Sequence, residues 1–305
     1  MKIIIAGASG FIGKAVTERL LNGGNEVTAL TRDEAKSRGV IDKRARVVKW
    51  ESGEDGAWEG VIDGTDCIIN LAGESLVGLW TDSKKDRIRQ SRIGPTKALI
   101  AAIKKASRRP RVMVQASAIG FYGDGGDEDI TEDSPKGEGF LADVCEEWET
   151  AASEVRACGV RLVIMRSGVV LGLGGGMLDI MVKAYKGFLG GYAGSGRQWF
   201  SWISLADEAA AIEFLLACQS CQGVYNLTSP GPVRMKELCE MIADRLRRPN
   251  FHLPGMVARM VGGEAAQEIV LRGARVLPKR LAGTGFRFNN ATIESVFSEI
   301  FAHIG

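Results

Sequence analysis

Three glycines, spaced three residues apart, follow the first apolar run of the chain. The run covers residues 3–6 and the glycines are Gly7, Gly10 and Gly13. After a buried strand, Gly7 permits a tight turn, Gly10 lets a ligand approach the backbone, and Gly13 lets the next helix pack close to the strand. A helix beginning near Phe11 would offer its free N–H groups to a diphosphate. The spacing therefore predicts a strand–turn–helix unit that binds a dinucleotide, rather than a purely structural turn.

Short apolar runs alternate with amphipathic segments over the first half of the chain. The runs are residues 2–6, 26–31, 45–49, 67–71, 111–116 and 161–166, and helical patterns cover 13–21, 95–106 and 141–157. Strands that are apolar throughout and alternate with helices are typical of parallel sheets covered on both faces. The pattern predicts an α/β fold with a doubly wound parallel sheet of the Rossmann type.

The pattern changes after residue 170, where glycines cluster at 172–176 and 187–196. Helical patterns at 205–218 and 234–247 flank a short strand at 223–227, no regular pattern covers 249–288, and a closing helix is predicted at 291–304. No internal repeat or low-complexity linker separates the two parts. We therefore predict a nucleotide-binding domain at residues 1–170 and a smaller substrate-binding region at 171–305, intertwined with the first.

Composition excludes several classes of protein. The chain has 39 Lys and Arg residues against 37 Asp and Glu, and a net charge of +2. Because the sequence has no basic stripe and no apolar stretch of about 20 residues, we expect neither nucleic acid nor a membrane as partner. Met1 leads straight into the first strand with no signal-peptide pattern, so we expect a cytoplasmic protein. Cys218 and Cys221 have metal-knuckle spacing without a second pair, and we predict two small reduced residues and no metal site.

The end of the second predicted strand bears on the choice of cofactor. A site that prefers NAD usually places a carboxylate there, to accept a hydrogen bond from the ribose 2′-hydroxyl. This chain has Arg32, whose guanidinium suits a 2′-phosphate, and Thr31, which can add a hydroxyl; Asp33 comes one residue later and is expected to start the next helix. The sequence therefore predicts NADP(H), with a solvated loop arginine as the alternative.

Further motifs run from end to end of the chain. They are Asn70-Leu71-Ala72-Gly73-Glu74, Ser91-Arg92-Ile93, Ser117-Ala118-Ile119-Gly120-Phe121-Tyr122-Gly123, Phe140-Leu141 with Trp148-Glu149, Arg166-Ser167-Gly168-Val169-Val170-Leu171-Gly172, Trp202-Ile203 and Leu277-Pro278-Lys279. With these motifs the chain resembles the extended short-chain dehydrogenase/reductases, and more narrowly their atypical epimerase-family branch. The resemblance implies a Rossmann domain with a smaller C-terminal substrate region. It also implies cofactor contacts from Gly7, Ser9, Gly10, Phe11, Ile12, Thr31, Arg32, Leu71 and Ala72.

Residues after the fourth strand support part of this cofactor set. The carboxyl end of that strand lies at the crevice of a doubly wound sheet, where small residues such as Ala72 allow a ribose to approach closely. On the following helix, Arg92 and Arg87 are candidate phosphate or ribose contacts. The alternative for both is a solvated helix arginine.

The catalytic pair of the wider superfamily is missing from the sequence. The wider superfamily uses a Tyr and a Lys four residues later, the Lys lowering the pKa of the Tyr. Here Leu141 and Cys145 fall at that spacing. Leu141 cannot exchange protons, and Cys145 could titrate, although a helix cysteine is usually a small buried side chain. The candidates that remain are Ser117, as an orienting hydroxyl, and Tyr122, a loop tyrosine with no cation at that spacing. The branch commonly has a His after Trp-Ile, where this chain has Ser204.

Aromatic and basic residues predict the substrate side. Arg197, Trp199 and Trp202 lie within a glycine-flanked segment, and Arg166 ends the sixth predicted strand. Such side chains suit a flat anionic or nucleotide-like ligand, and the alternative is that the two indoles fill the interface between the two parts. Three functions stay open: an NADP(H)-dependent oxidoreductase or epimerase acting on a small molecule, an NADP(H)-binding sensor or regulatory protein without such chemistry, and a different lyase or isomerase.

Overall fold

A computed structural model describes residues 1–51 and 56–302. Its strands are β1 (Lys2–Ala6), β2 (Glu26–Thr31), β3 (Arg46–Lys49), β4 (Cys67–Asn70), β5 (Val112–Ala118), β6 (Asp129–Ile130), β7 (Arg161–Ser167), β8 (Val169–Leu171), β9 (Gly191–Ala193), β10 (Trp199–Phe200), β11 (Trp202–Ser204), β12 (Gly223–Leu227), β13 (Val233–Arg234), β14 (Phe251–Leu253) and β15 (Arg275–Val276). Its α-helices are α1 (Phe11–Asn22), α2 (Glu34–Arg38), α3 (Asp82–Lys105), α4 (Phe140–Ser153), α5 (Gly176–Lys186), α6 (Leu205–Ala217), α7 (Met235–Leu246), α8 (Gly255–Ile269), α9 (Lys279–Gly283) and α10 (Ile293–Phe301).

The central sheet has seven strands in the order β12-β7-β5-β4-β1-β2-β3, and all of its pairings are parallel. β1 pairs with β2 on one side and β4 on the other, so the order of strands reverses there. In a doubly wound sheet, ligands bind beyond the carboxyl ends of the strands at this point. The predicted parallel sheet is confirmed, and the predicted and observed strand ends differ by no more than two residues.

Successive residues of β1 contribute to different cores because side chains along a strand alternate between the two faces. Ile3 and Ile5 belong to a cluster that includes Val16 of α1 and Leu215 of α6. Ile4 belongs to a second cluster, on the other face, with Leu99 and Ile103 of α3. Both faces are therefore covered by helices, which explains why the strand sequence is apolar without alternation.

Helix α3 begins earlier than the sequence predicted. The helical pattern from Pro95 covers only the second half of this helix, which begins at Asp82, includes the predicted helix residues Arg87 and Arg92, and contains Pro95 in its interior. The side chain of Thr81 caps the true start by accepting a hydrogen bond from the backbone N–H of Lys84 at 3.2 Å. Proline is common in the first turn of a helix, so Pro95 suggested a helix start. In the structure the helix continues through Pro95, which only removes one backbone N–H donor from it.

The C-terminal part differs most from expectation. The stretch 249–288, for which no regular structure was predicted, contains β14, α8, β15 and α9. Within α8, Gly263 has a φ of +57°, so the apolar residues before and after it do not follow one helical period. Helix α5 was likewise missed between two glycine clusters. The tail forms α10, ending at Phe301, and the end of the predicted helix at 303–304 lies outside the described residues.

Cys218 and Cys221 form a disulfide directly after α6, so the prediction of two separate reduced residues is wrong. The turn that closes the helix brings their Cα atoms to 5.3 Å, within the range that a disulfide spans. In the described part of the chain, no cluster of three or more His, Cys, Asp or Glu side chains could hold a metal ion. No helix there combines the length and apolar character needed to cross a bilayer.

Candidate functional site

A cavity of about 500 Å³ lies beyond the carboxyl ends of β1, β4, β5 and β7. Of the predicted site residues, its wall contains Gly7, Gly10, Phe11, Ile12, Gly13, Leu71, Ala72, Arg92, Ser117 and Trp199. The wall does not include Ser9, Thr31, Arg32, Arg87, Tyr122, Arg166, Arg197 or Trp202. The cavity therefore joins the glycine turn to residues of the C-terminal part.

The glycine turn leaves room for a ligand because its own backbone packs without side chains. Gly7 has a φ of +84°, and a Cβ there would lie 2.7 Å from the carbonyl carbon of Leu71. A Cβ on Gly13 would lie 2.2 Å from the carbonyl oxygen of Gly7, so only glycine lets α1 begin this close to β1. No side chain caps the N-terminus of α1 at Gly10. Its N–H groups and the positive end of the helix dipole are thus available to an anion.

The end of β2 presents a free guanidinium. Arg32 is exposed and makes no hydrogen bond or ion pair with any described residue. Thr31, by contrast, is buried, and its hydroxyl forms a hydrogen bond of 2.6 Å with the hydroxyl of Ser37. Asp33 caps α2 by accepting a hydrogen bond from the N–H of Lys36 at 3.0 Å, as the sequence predicted.

The loop after β4 is held by a buried amide. Asn70 donates to Thr96 Oγ1 at 2.9 Å and to Gln115 Oε1 at 3.0 Å, and its own oxygen accepts from the N–H of Ala72. This arrangement directs Leu71 and Ala72 toward the cavity.

The two helix arginines differ in position. Arg92 of α3 is half-buried at the cavity wall, where its guanidinium donates to the carbonyls of Ile88 and Glu74, and burial lowers its pKa. Arg87 is exposed and donates to the Ser83 hydroxyl at 2.8 Å, with the Glu74 carboxylate at 3.4 Å. Only Arg92 therefore faces the cavity.

Ser117, at the end of β5, is tied to a buried ion pair. Its hydroxyl donates to Glu149 Oε1 at 2.6 Å. Arg166, at the end of β7, binds the same carboxylate with two nitrogens at 2.8 and 2.7 Å. The side chains of Arg166 and Glu149 are 6% and 11% exposed, so water screens this pair little. Arg166 points into this network rather than into the cavity.

Tyr122 closes the other side of the network. Its hydroxyl accepts from Arg166 Nη1 at 2.9 Å and donates to Asn226 Oδ1 at 2.7 Å. Burial raises the pKa of the hydroxyl, although the Arg166 cation opposes this change. The sequence correctly predicted no cation four residues after Tyr122, where Gly126 lies, but it did not indicate that Arg166 of β7 would reach the tyrosine instead. Tyr122 lies behind Ser117 and does not line the cavity.

The positions of the missing Tyr/Lys pair carry no proton-exchanging group. Leu141 is apolar, and Cys145 is buried with its thiol directed at the carbonyl of Ala118. Burial raises the pKa of Cys145 to about 11, so this thiol stays protonated at neutral pH.

The C-terminal part supplies the opposite wall. Trp199 faces the cavity, its ring lies 3.6 Å from the guanidinium carbon of Arg234, and its indole N–H donates to Asp127. Trp202 is fully buried and its indole N–H donates to the carbonyl of Gly231. It therefore packs in the interior, which agrees with the alternative to a substrate contact. Arg197 is exposed outside the wall. Arg272, which the sequence did not single out, lines the cavity and has no hydrogen-bond or ion-pair partner among the described residues.

Sequence reasoning also missed Glu208 and Glu268 and gave no role to Glu149. Glu149 was visible only as a residue one turn beyond Cys145, and no spacing rule connects it to Ser117. Glu268 on α8 accepts from the backbone N–H groups of Phe140 and Leu141 at 2.7 and 2.9 Å. These contacts join segments more than 30 residues apart, so only the fold brings them together.

Two family models match the chain. The model described as the NAD dependent epimerase/dehydratase family matches residues 3–228, and one described as a domain of unknown function (DUF1731) matches residues 253–300.

Known proteins match over almost the whole chain. Epimerase family protein YfhF of Bacillus subtilis (strain 168) is 36% identical over 304 residues, which is 99% of this chain and 98% of the relative. The chloroplastic epimerase family protein SDR39U1 homolog of Arabidopsis thaliana is 35% identical over 305 residues, which is 98% of this chain and 86% of the relative. A crystal structure of human epimerase family protein SDR39U1 (isoform 2) with NADPH matches with a TM-score of 0.86 and 29% identity, over 99% of both chains.

Proposed function

The chain belongs to the NAD-dependent epimerase/dehydratase family, as the resemblance indicated, and on that premise we propose that it binds NADP(H) and transfers hydride to or from a small anionic substrate. The observation that carries the proposal is a single cavity shared by the glycine turn, by Ser117 and by the unpaired Arg272. The wall formed by the glycine turn suits a dinucleotide, and the wall that contains Arg272 suits an anionic ligand.

The residues at the glycine turn fit the cofactor. Phe11 and Ile12 would hold the diphosphate through backbone N–H groups that no side chain caps, and Gly10, whose own N–H donates to the carbonyl of Gly7 at 3.0 Å, would let the diphosphate approach closely. Leu71 and Ala72 would flank a ribose, and Arg92 offers a guanidinium near it. Bound there, NADP(H) supplies or accepts the hydride.

Arg32 supports NADP(H) over NAD(H). Its unpaired guanidinium at the end of β2 replaces the carboxylate that binds a ribose 2′-hydroxyl, and the relative SDR39U1 was crystallised with NADPH. Because the Thr31 hydroxyl is bonded to Ser37, Arg32 carries the preference alone. It would make a charge-assisted contact with the 2′-phosphate.

The cofactor preference is tested by titrating the protein with NADPH and NADH and following nicotinamide fluorescence. We expect NADPH to bind more tightly, and Arg32→Asp to weaken NADPH binding by tenfold or more and to reverse the preference, since a charge-assisted contact contributes about 1.5–3 kcal/mol. Arg156→Asp, an exposed site with the same change of charge, should keep the wild-type preference. Equal affinity of the wild type for both nucleotides would refute the assignment.

Ser117 and Glu149 would handle the proton that accompanies hydride transfer. Because the Ser117 hydroxyl donates to Glu149, its oxygen is left as an acceptor toward the cavity. When a substrate hydroxyl is oxidised, Ser117 can accept its proton while passing its own to Glu149, and reduction reverses both transfers. Arg166 holds the carboxylate in place through two hydrogen bonds. Tyr122 supports Arg166 from behind and does not contact the substrate.

The substrate would lie between Trp199 and Arg272. An unpaired arginine and an indole at one cavity wall suit a planar or phosphorylated anion, which includes a nucleotide-linked molecule. We propose that residues 171–305 provide this side of the site and residues 1–170 the cofactor side, although β12 of the later segment lies in the central sheet. A cytoplasmic location forms part of the same proposal.

Activity is tested by hydride exchange at the nicotinamide C4 position, with deuterated NADPH and a pool of phosphorylated metabolites. We expect exchange in the wild type and a loss of 100-fold or more in Ser117→Ala and in Glu149→Gln, while both variants keep their affinity for NADPH. Cys158→Ser, a site outside the cavity wall, should exchange at close to the wild-type rate. Tight NADPH binding without exchange would instead support an NADP(H)-binding sensor or regulatory protein. The absence of a proton-exchanging group at Leu141 and Cys145 favours that alternative.

A further inference from the structure

The cavity wall contains a carboxyl group that the proposed chemistry does not use. Glu208, in the first turns of α6, is fully buried and lines the same cavity as the glycine turn. Its Oε1 accepts a hydrogen bond from Ser167 Oγ at 2.6 Å. Its Oε2 has no hydrogen-bond partner in the described part of the chain. A buried polar atom without a partner is costly, so a ligand that supplied one would bind more favourably.

No cation among the described residues is paired with this carboxyl group. The elements that pack most against α6 are α1, β5, β8 and β11, and the three strands carry no titratable side chain. Charged groups are carried by α1, by α6 itself and by β7, the strand that contains Ser167. Besides Glu208, they are Lys14, Glu18, Arg19, Arg161, Arg166, Asp207 and Glu213. Arg19 pairs with Glu213, Arg166 pairs with Glu149, and Arg161 binds backbone carbonyls at the far end of α6. Asp207 accepts from the backbone of Asn289 and Asn290. Among the described residues, only Ser167 forms a hydrogen bond with Glu208.

Burial without a cation raises the pKa of Glu208 to about 7, although the hydrogen bond from Ser167 opposes the change. A protonated carboxyl can donate a hydrogen bond through its O–H group, whereas an ionised one can only accept. A carboxylate at this place would also repel the diphosphate of a dinucleotide bound on the glycine turn.

We infer that Glu208 is a cofactor contact that works in its protonated form, its carboxyl O–H donating a hydrogen bond to an acceptor oxygen of the bound dinucleotide. The inference rests on the proposed function. Its consequence is that the protein takes up a proton from solvent when the dinucleotide binds at a pH above the pKa of the free site, and returns the proton when the dinucleotide leaves.

The direction of the pH dependence follows from this coupling. Below about pH 6 the free protein already carries the proton, so affinity does not change through this group. Above pH 7 the free carboxyl is ionised and must be protonated on binding. Affinity then weakens by up to tenfold for each pH unit, until the pH reaches the higher pKa of the bound state.

The test is calorimetric titration of the full chain with NADP⁺ at pH 5.5 and pH 8, in pairs of buffers with different ionisation enthalpies. The quantity compared is the number of protons taken up by the wild type minus that of Glu208→Gln, so that proton uptake by the ligand cancels. We expect a difference of close to one proton at pH 8 and close to none at pH 5.5. Glu213→Gln, on the exposed part of the same helix, should retain the wild-type uptake.

Each outcome separates the inference from the function on which it rests. Tight binding by the wild type, with the same proton uptake in Glu208→Gln at pH 8, would overturn the role of Glu208 alone. No binding by the wild type at either pH would overturn the proposed function itself. If Glu208→Gln does not fold, Ser167→Ala serves instead: without the Ser167 hydrogen bond, the pKa of Glu208 rises and proton uptake should begin at a higher pH. An unchanged onset would refute the inference.

Discussion

Arg166 joins groups from separate parts of the chain. Its guanidinium binds the Glu149 carboxylate, donates to the Tyr122 hydroxyl, and lies 3.4 Å from the centre of the Phe121 ring. A buried guanidinium is tolerated only when its donors have partners, and here Nε, Nη1 and Nη2 each have one. This residue, predicted as a substrate contact, instead holds the carboxylate on which Ser117 depends.

Removing Arg166 should destabilise the fold strongly. Arg166→Ala leaves the Glu149 carboxylate buried without its cation, and we expect the free energy of unfolding to fall by about 3–5 kcal/mol. The matched control is Arg19→Ala, whose pair with Glu213 has side chains 43% and 33% exposed and should contribute less than about 1 kcal/mol. Urea denaturation of both variants measures the difference. Similar losses in the two variants would mean that the buried pair contributes no more than the exposed one.

At the scale of elements, α8 reaches across to the start of α4. The N-terminus of α4 at Gly139 has no capping side chain of its own, and the Glu268 carboxylate accepts from the first two backbone N–H groups of the helix instead. A carboxylate at a helix N-terminus also interacts favourably with the helix dipole. This contact fixes one side of the cavity, because Glu268 and Leu141 both line it.

Loss of this remote cap should have a measurable cost. We expect Glu268→Ala to lower the free energy of unfolding by about 1–2 kcal/mol, the usual cost of losing a helix cap. Glu264→Ala, on the same helix, removes only the exposed ion pair with Lys85 and should change stability by less than about 1 kcal/mol. Thermal or urea denaturation distinguishes the two variants, and an equal effect would contradict a capping role.

The strands of the central sheet were predicted more accurately than the helices, and the reason is physical. Both faces of β1, β2 and β4 are buried, so their sequences are apolar runs with clear ends. In α3 a proline within the helix marked a false start, and in α8 Gly263 broke the helical period. The apolar pattern of a helix depends on one stripe, which a single proline or glycine can obscure.

Over the whole molecule, a chain of polar contacts links the cavity to the C-terminal part. From Ser117 it passes through Glu149, Arg166 and Tyr122 to Asn226, whose amide donates to the carbonyl of Leu277 at 3.1 Å. Nearby, Glu132 accepts from the backbone N–H of Asn226 and of Arg280. The network that holds Ser117 therefore extends to Leu277 and Arg280 in the C-terminal part of the chain.

The sequence revealed one half of this site better than the other. The turn from Gly7 to Gly13 is contiguous, so its spacing alone indicates a dinucleotide. Arg32 directly follows β2, so its position could also be recognised from the sequence. The partners Tyr122 and Asn226 lie 104 residues apart, and Phe140 and Glu268 lie 128 apart. No local pattern indicates which of many polar residues will meet across such distances. Arg272 and Glu208 became visible only when the fold placed them at one cavity.

The central claim is that a dinucleotide extends through this cavity from the glycine turn to Ser117. A crystal structure of the protein grown with NADPH tests it most directly. We predict that the diphosphate lies beside Gly10 on the backbone amides of Phe11 and Ile12, that the 2′-phosphate meets Arg32, and that the nicotinamide ring reaches Ser117. A cavity that stays empty at saturating NADPH, or a nucleotide bound with Arg32 turned away from it, would contradict the account.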